Sequence, residues 1–421
     1  MLLCGVMMVG ALSACGSKSN EATGETSDAK ETTEATTASG DVKISFFDSK
    51  AYGTEEYDKI LAEYAAKEGI EIEIQHTPND YDTLLMSRFN SNEIPDVMAV
   101  QVGSAAQQYY EYAYDWTDDT DILATFNDDA IDTGRDEEGR VKSLPSTYET
   151  MGMLYNKDVF AKAGIEEIPT TLSELREVCE KLEAAGITPF AIAGKEQWVL
   201  HQLGSNFMMD KSLDAKGVVD GLNDGSLTFE TLPNYKNLFT LLDLIIEFGS
   251  DKQLEYDWET SENMLANGEV GMIQMGDWCQ SIMDEFNPDA NLGFIPCPVS
   301  ENPEDATLLS SISWTYIVNK DSENLEAAKA AAVYMLNSDE ILKWTTDVIA
   351  NVPAAKGEFQ VDADLANDAA SYIEAGKTNG WIHSLAPTGF QDKAGATFQS
   401  YMLGQITADE AIEAIQGYWN E

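Results

Sequence analysis

Basic residues are scarce in this chain. Lysine and arginine total 25 of 421 residues, against 74 Asp and Glu, for a formal net charge of -49. A surface with that excess repels phosphate backbones, so nucleic acid is excluded as a partner class. Histidine is scarcer still. His76, His201 and His383 are widely separated, and neither H-E-x-x-H nor C-x-x-C occurs. Those spacings put two ligands on one helix face or one turn, so no metal site is expected. There is no G-x-S-x-G nucleophile elbow, and "GKT" at Gly376–Thr378 lacks the earlier glycine of a phosphate loop. No stretch has the acid offsets of a calcium-binding loop. Carboxylates are too abundant at this composition to single out a glycosidase acid and base. No catalytic residue and no cofactor is therefore expected.

Cysteine is also sparse. Cys4 and Cys15 fall in the N-terminal segment, which leaves Cys179, Cys279 and Cys297, an odd number and no disulfide framework. Cys179 lies on the apolar stripe of a predicted helix and reads as a small buried residue. Cys279 and Cys297 either pair or stay free. Long apolar runs are missing too. The first fourteen residues carry no charge, but they are too short to span a bilayer and suit the apolar core of a signal peptide. "LSAC" at Leu12–Cys15 follows and resembles a bacterial lipobox, in which the cysteine (here Cys15) is lipid-modified. No Lys or Arg precedes the apolar run, which departs from that pattern. Residues 15–40 are rich in Ser, Thr and Glu, have no large apolar side chain, and read as a solvated tether.

What is present from Asp41 onward is an alternation of strand and helix signals. "VKISFF" puts Val42, Ile44 and Phe46 on one strand face. A helix follows with Tyr57, Ile60, Leu61, Tyr64 and Ala65 at helical spacing, and "IEIEI" returns to period two. A helix over "DYDTLLMSRF" and a buried strand over "PDVMAVQV" complete a β-α-β-α-β order, which argues for an α/β lobe with a largely parallel sheet. The second half repeats the logic with strands over "MGMLYN", "TPFAIA", "VGMIQM", "LGFIPCP" and "SWTYIVN". Capping boxes at Thr171-x-x-Glu174 and Thr407-x-x-Glu410 mark two helix starts. No short-period repeat is visible, which argues against solenoids and propellers.

Taken in order, "FFDS", "SNEIPDVMAV", "LPSTYETMGMLYNKDVF", "IPTTLSELREVCEKLEAAGITPF", "NGEVGMIQMGDW", "WTYIVNKDSENLEAAKAAAVYML" and "LGQITADEAI" carry a resemblance. The chain resembles the family 1 extracellular solute-binding proteins, the maltose-binding-protein-like lipoproteins of carbohydrate ABC importers. The resemblance implies a type II periplasmic-binding-protein-like α/β fold of two lobes, each a mostly parallel sheet flanked by helices. One lobe would comprise residues 41–146 plus 314–351, the other 147–313 plus 352–421. The crossings are expected near Ser146–Tyr148, Ser310–Ser313 and Ile349–Pro353. It further implies a monomeric, non-enzymatic receptor, lipid-anchored at the outer face of a Gram-positive-type membrane. Such a receptor would close on an oligosaccharide and hand it to the transmembrane subunits of a permease.

A sugar offers hydroxyls and apolar C–H faces, so aromatic platforms with a few placed polar groups are the candidates. Trp278 follows a strand end after Gly276 and matches a family stacking position. Asp277 is either a hydroxyl acceptor or a turn cap. Trp198 matches a second aromatic region, with helical core packing as the alternative, and Trp314 opens a crossing strand, where it serves the site or the hinge. Lys50 follows the first strand, where the family presents a ligand group; a solvated lysine is the alternative. Gln101 stands at the carboxyl end of a strand, where open α/β sheets bind ligands. Tyr148 and Glu149 lie at the first crossing, Glu149 aligning with a family carboxylate, or tying the hinge. Phe390 and Asp392 match a segment that closes over the sugar; an ordinary loop anchored by Phe390 is the alternative. Two rivals stand beside this reading: a polyamine ligand on the same fold, favoured by the acidic field, and a surface glycoside hydrolase.

Overall fold

Strand β1 (Lys43–Asp48) buries Ile44, Phe46 and Phe47, and neighbouring strands extend that apolar surface into a sheet. The computed structural model describes residues 42–50, 53–77, 81–209 and 214–421. The expected signal segment, Cys15 and the tether lie outside them. The first sheet has the order β2-β1-β3-β10-β4, with β2 Glu71–His76, β3 Val97–Gln101, β4 Leu144–Pro145 and β10 Trp314–Val318. Period-two alternation splits its side chains between two cores. Ile44, Phe46, Val97, Ala99 and Tyr316 face one, and Phe47, Met98, Val100 and Ile317 face the other. This explains why β3 reads as a continuous apolar run: both faces are covered.

The second sheet has the order β12-β9-β5-β7-β6, where β5 is Thr147–Asn156, β6 Thr188–Phe190, β7 Val270–Gly276, β9 Leu308–Ile312 and β12 Thr378–Asn379. Strands β8 (Leu292–Ile295) and β11 (Val352–Pro353) also pair with β5. A large core surrounds it, built from Met153, Leu154, Phe190, Leu241, Ile273 and many others.

The two-sheet α/β organisation matches the expectation, but the sheets are mixed rather than mostly parallel. β1 is parallel to β2 and β3, whereas β10 is antiparallel to β3 and β4. In the second sheet β5 is antiparallel to β7, β8, β9 and β11. The physical reason lies in the connections. The chain passes from β4 through Ser146 into β5, and from β9 through Ser313 into β10, with no crossover helix. A strand that enters a sheet without such a crossover is free to run against its neighbours. The two passages are hydrogen-bonded side by side: Ser146 N donates to Trp314 O at 3.0 Å and Ser313 N to Thr147 O at 3.4 Å.

Local signals behave as their chemistry requires. Both capping boxes form, at Thr171 with Glu174 and at Thr407 with Glu410. Cys179, Cys279 and Cys297 are buried free thiols, so Cys279 and Cys297 do not pair. Among the described residues no helix is long and apolar enough to cross a membrane.

Candidate functional site

The carboxyl end of β1 delivers Asp48 into the interior at 1% exposure, and Lys50 folds back over it. Lys50 Nζ donates to Asp48 Oδ1 at 3.2 Å and to the Tyr316 hydroxyl at 2.8 Å, and lies 4.7 Å from the centroid of the Tyr57 ring. Burial works against the Lys50 charge. Asp48 and Tyr316 outweigh it and hold the ammonium above its ordinary pKa. Asp48 is likewise driven up by burial, yet Lys50 and His76 bring it below the ordinary carboxylate range. Lys50 is therefore not a solvated lysine but the cation of an internal cluster.

On the other side of the crossing, β5 carries Glu149 and the 3-10 turn Asp277–Cys279 carries Asp277 and Trp278. Glu149 is 9% exposed and Asp277 6%. Asp277 Oδ1 accepts from Thr150 N at 2.9 Å, and Glu149 Oε1 accepts from Asn351 Nδ2 at 3.4 Å. Burial pushes Glu149 to about 7, with Ser313 and Lys50 pulling it back. Asp277 is pushed well above the carboxylate range by burial, opposed by the Thr150 N–H and reinforced by the Glu149 charge. Two buried acids thus share one environment, which Lys50 reaches electrostatically from the first sheet.

Trp278 is half-buried and folds over Gly276. A Cβ on Gly276 would sit 2.0 Å from the indole Cζ3, so only glycine allows that ring position. Trp381 meets Trp278 edge-on, centroids 6.1 Å apart at 82°, and its Nε1–H donates to Leu309 O at 3.0 Å. One Trp278 edge is thus fixed. Trp381 did not emerge from the sequence, although its setting after Gly380 parallels that of Trp278 after Gly276 and Asp277. Asp48 and Tyr316 were missed as well; an acid at a strand end two positions before Lys50 was the available signal.

Gln101 is exposed and stands opposite Trp314 in the β3–β10 register. Trp314 packs edge-on against Tyr81, centroids 5.8 Å apart, with part of its surface open. The Tyr148 hydroxyl donates to Asp129 Oδ2 at 2.8 Å, which spends its polar end on the protein itself. Trp198 sits in the first turn of the helix Gln197–Ser205, on the flank of the larger core. One candidate is corrected. Phe390 is 2% exposed and enclosed by Phe229, His201 and Trp419, so it packs the core instead of closing over a ligand. It begins the helix Phe390–Met402, whose inner face must be apolar. Asp392, two residues on, is exposed and its charge reaches Asp82 on the helix Tyr81–Asn90.

A cavity of about 840 Å³ lies between Gly53–Glu56, Lys59 and Val348 on one side and Trp258, Glu259, Ile282, Glu285 and Phe286 on the other. That volume is within the usual range for small-molecule sites. Four glutamates, Glu55, Glu56, Glu259 and Glu285, and one lysine line it, and Phe286 is 37% exposed. Among the described residues no group of three or more His, Cys, Asp and Glu is arranged to hold a metal ion.

The family model for bacterial extracellular solute-binding proteins matches residues 50–340. The chain is 23% identical over 376 residues to the melibiose/raffinose/stachyose-binding protein MelE of Bacillus subtilis, covering 84% of this chain and 83% of that protein. It is 24% identical to the multiple sugar-binding protein of Streptococcus mutans, covering 75% and 76% respectively. Among solved structures, SBP RafE in complex with raffinose superposes with a TM-score of 0.77 at 19% identity, over 90% of this chain and 99% of that one.

Proposed function

Because the chain belongs to the bacterial extracellular solute-binding protein family, we propose that it is the non-enzymatic receptor of an ABC importer and captures an oligosaccharide between two lobes. The lobes are residues 41–146 plus 314–351 and residues 147–313 plus 352–421, joined at Ser146, Ser313 and the segment before β11. In this reading Cys15 bears a lipid that tethers the receptor outside the cell, as a monomer, beside its permease. The relatives named above supply the ligand class: raffinose and stachyose stand in their names.

The observation that carries the proposal is the Trp278 platform beside Asp277 and Glu149. A half-exposed indole braced by Trp381 suits the C–H face of a sugar ring. Two buried acids with raised pKa values either accept or donate hydrogen bonds to hydroxyls, a versatility suited to neutral polyols. Calorimetry against raffinose, stachyose, maltotriose and chitin fragments is the test. Saturable binding of at least one is expected, and no binding at millimolar concentration would end the sugar reading.

A polyamine is the second reading, and the 840 Å³ cavity with its four glutamates and its Trp258 and Phe286 rings favours it. Spermidine in the same calorimeter decides: binding tighter than any glycan would replace the sugar. Turnover of a chromogenic glycoside would overturn the non-enzymatic assignment.

A further inference from the structure

Two carboxylates meet at the carboxyl edge of the first sheet, one from each side of the passages. β3 ends at Gln101, Val102 N donates to Ser313 O at 3.0 Å, and Gly103 then turns the chain toward Ser384. A Cβ on Gly103 would lie 2.1 Å from Ser384 O, and Ser104 Oγ donates to Ala386 O at 2.6 Å. Those contacts bring the start of the helix Phe390–Met402, with Asp392 in its first turn, to the edge where open α/β sheets bind ligands. The helix Tyr81–Asn90, which carries Asp82, stands at the same edge. Its Tyr81 meets Trp314 edge-on at 5.8 Å, and its Phe89 meets Tyr109 at 4.8 Å.

Both carboxylates are open to solvent. Asp82 is nevertheless crowded by protein, as on the wall of a cleft. That crowding and the Asp392 charge both raise its pKa, and no cation among the described residues offsets them. The Tyr109 hydroxyl is buried, has no hydrogen-bond partner among the described residues, and feels the Asp82 charge.

We propose that the solute carries a free, protonated amino group on its sugar framework, and that Asp82 and Asp392 determine this specificity by receiving it between them. The inference rests on the sugar reading and narrows it to a class, the aminated glycans. An ammonium attracts both carboxylates and donates to each, whereas a neutral hydroxyl leaves their repulsion in place. Lys50 does not fill this role, because its ammonium is spent on Asp48 and Tyr316. Trp314 keeps part of its surface open beside Tyr81, and an indole face attracts a cation. The unspent Tyr109 O–H is available to steady the Asp82 carboxylate. Trp381, the brace of Trp278, precedes Asp392 on the same segment, so one stretch of chain builds both the amine subsite and the stacking platform. The net charge of -49 draws cations toward the molecule at long range.

Calorimetry of the full chain at about pH 6 tests this with a glucosamine trisaccharide bearing free amines, its fully N-acetylated counterpart and raffinose. The aminated trisaccharide should bind at least about tenfold tighter than the acetylated one, with an affinity that falls as salt is raised. Asp82→Asn and Asp392→Asn keep the shape of exposed side chains. Each should weaken the aminated trisaccharide about tenfold and leave the neutral glycans unchanged. Neutral glycans bound as tightly as the aminated one, or an aminated affinity untouched by both variants, would overturn the amine and leave the sugar reading standing. If no glycan binds, the sugar reading fails by itself and spermidine decides the amine. Spermidine affinity lost in Asp82→Asn and Asp392→Asn keeps it, and unchanged or absent binding removes it.

Discussion

Two buried polar clusters meet where the chain crosses between the sheets, and they are built on opposite principles. On the first sheet, Asp48 is matched by Lys50 and His76, and every charge has a partner. On the second, Glu149 and Asp277 lie close together as like groups, with Thr150, Asn351 and Ser313 nearby and Lys50 at longer reach. The first cluster keeps its groups ionised, while the second holds its acids toward the neutral form. A completed ion cluster stabilises one arrangement of the protein. An incomplete acid pair retains hydrogen-bonding capacity for something that arrives later, which is the property a ligand site needs.

That contrast breaks most visibly at Asp48. Asp48→Ala leaves Lys50 buried without its counter-ion, and urea unfolding should show a loss of about 3 kcal/mol. A loss below about 1 kcal/mol would mean that the cluster contributes little. Next in size is the platform beside the acid pair. Trp278→Ala should weaken glycan binding at least about tenfold, roughly 1.4 kcal/mol, at unchanged fold. Gly276→Val should do the same, because its side chain takes the space of the indole. Unchanged affinity in both would remove Trp278 from the site.

The acid pair itself is probed by pH. Glu149 has a folded pKa of about 7 against an ordinary 4.5, so the folded state keeps a proton that the unfolded chain has released. Stability therefore declines as pH rises from about 4.5 to about 7. Thermal melts of Glu149→Gln across that window should show a shallower decline, and equal slopes would assign the proton elsewhere. The smallest effect is expected at His76. Burial opposes its charge, but Asp48 and Asp58 raise its pKa above the ordinary 6.5. Its contribution is present below that value and is lost as pH rises through the raised pKa. His76→Gln should cost less than about 1 kcal/mol at pH 6 and less again at pH 9.

Much of the local architecture is legible in the amino-acid sequence. The capping boxes at Thr171 and Thr407 are chemistry within four residues, and both formed where the residue types demanded. The strands over Lys43–Asp48, Val97–Gln101 and Val270–Gly276 follow from β-rich apolar runs. Strand direction was less legible, because parallel and antiparallel pairing leave the same pattern along one strand. The inward turn of Phe390 and the burial of Lys50 were also hidden. Each depends on neighbours such as Trp419 or Tyr316 that are distant in sequence. Trp381 was overlooked for the same reason, since its role exists only through Trp278 and Leu309.

By itself, then, the amino-acid sequence determined the charge, the class of fold, the helix starts and the identity of the aromatic and acidic side chains available to a site. Each of these is a property of a residue or of a short window. The tertiary structure decided which acids share one buried environment, which tryptophan stays open and which backbone segments meet at Gly103 and Ser384. Those outcomes depend on long-range approach and desolvation, which arise only when segments hundreds of residues apart are packed together.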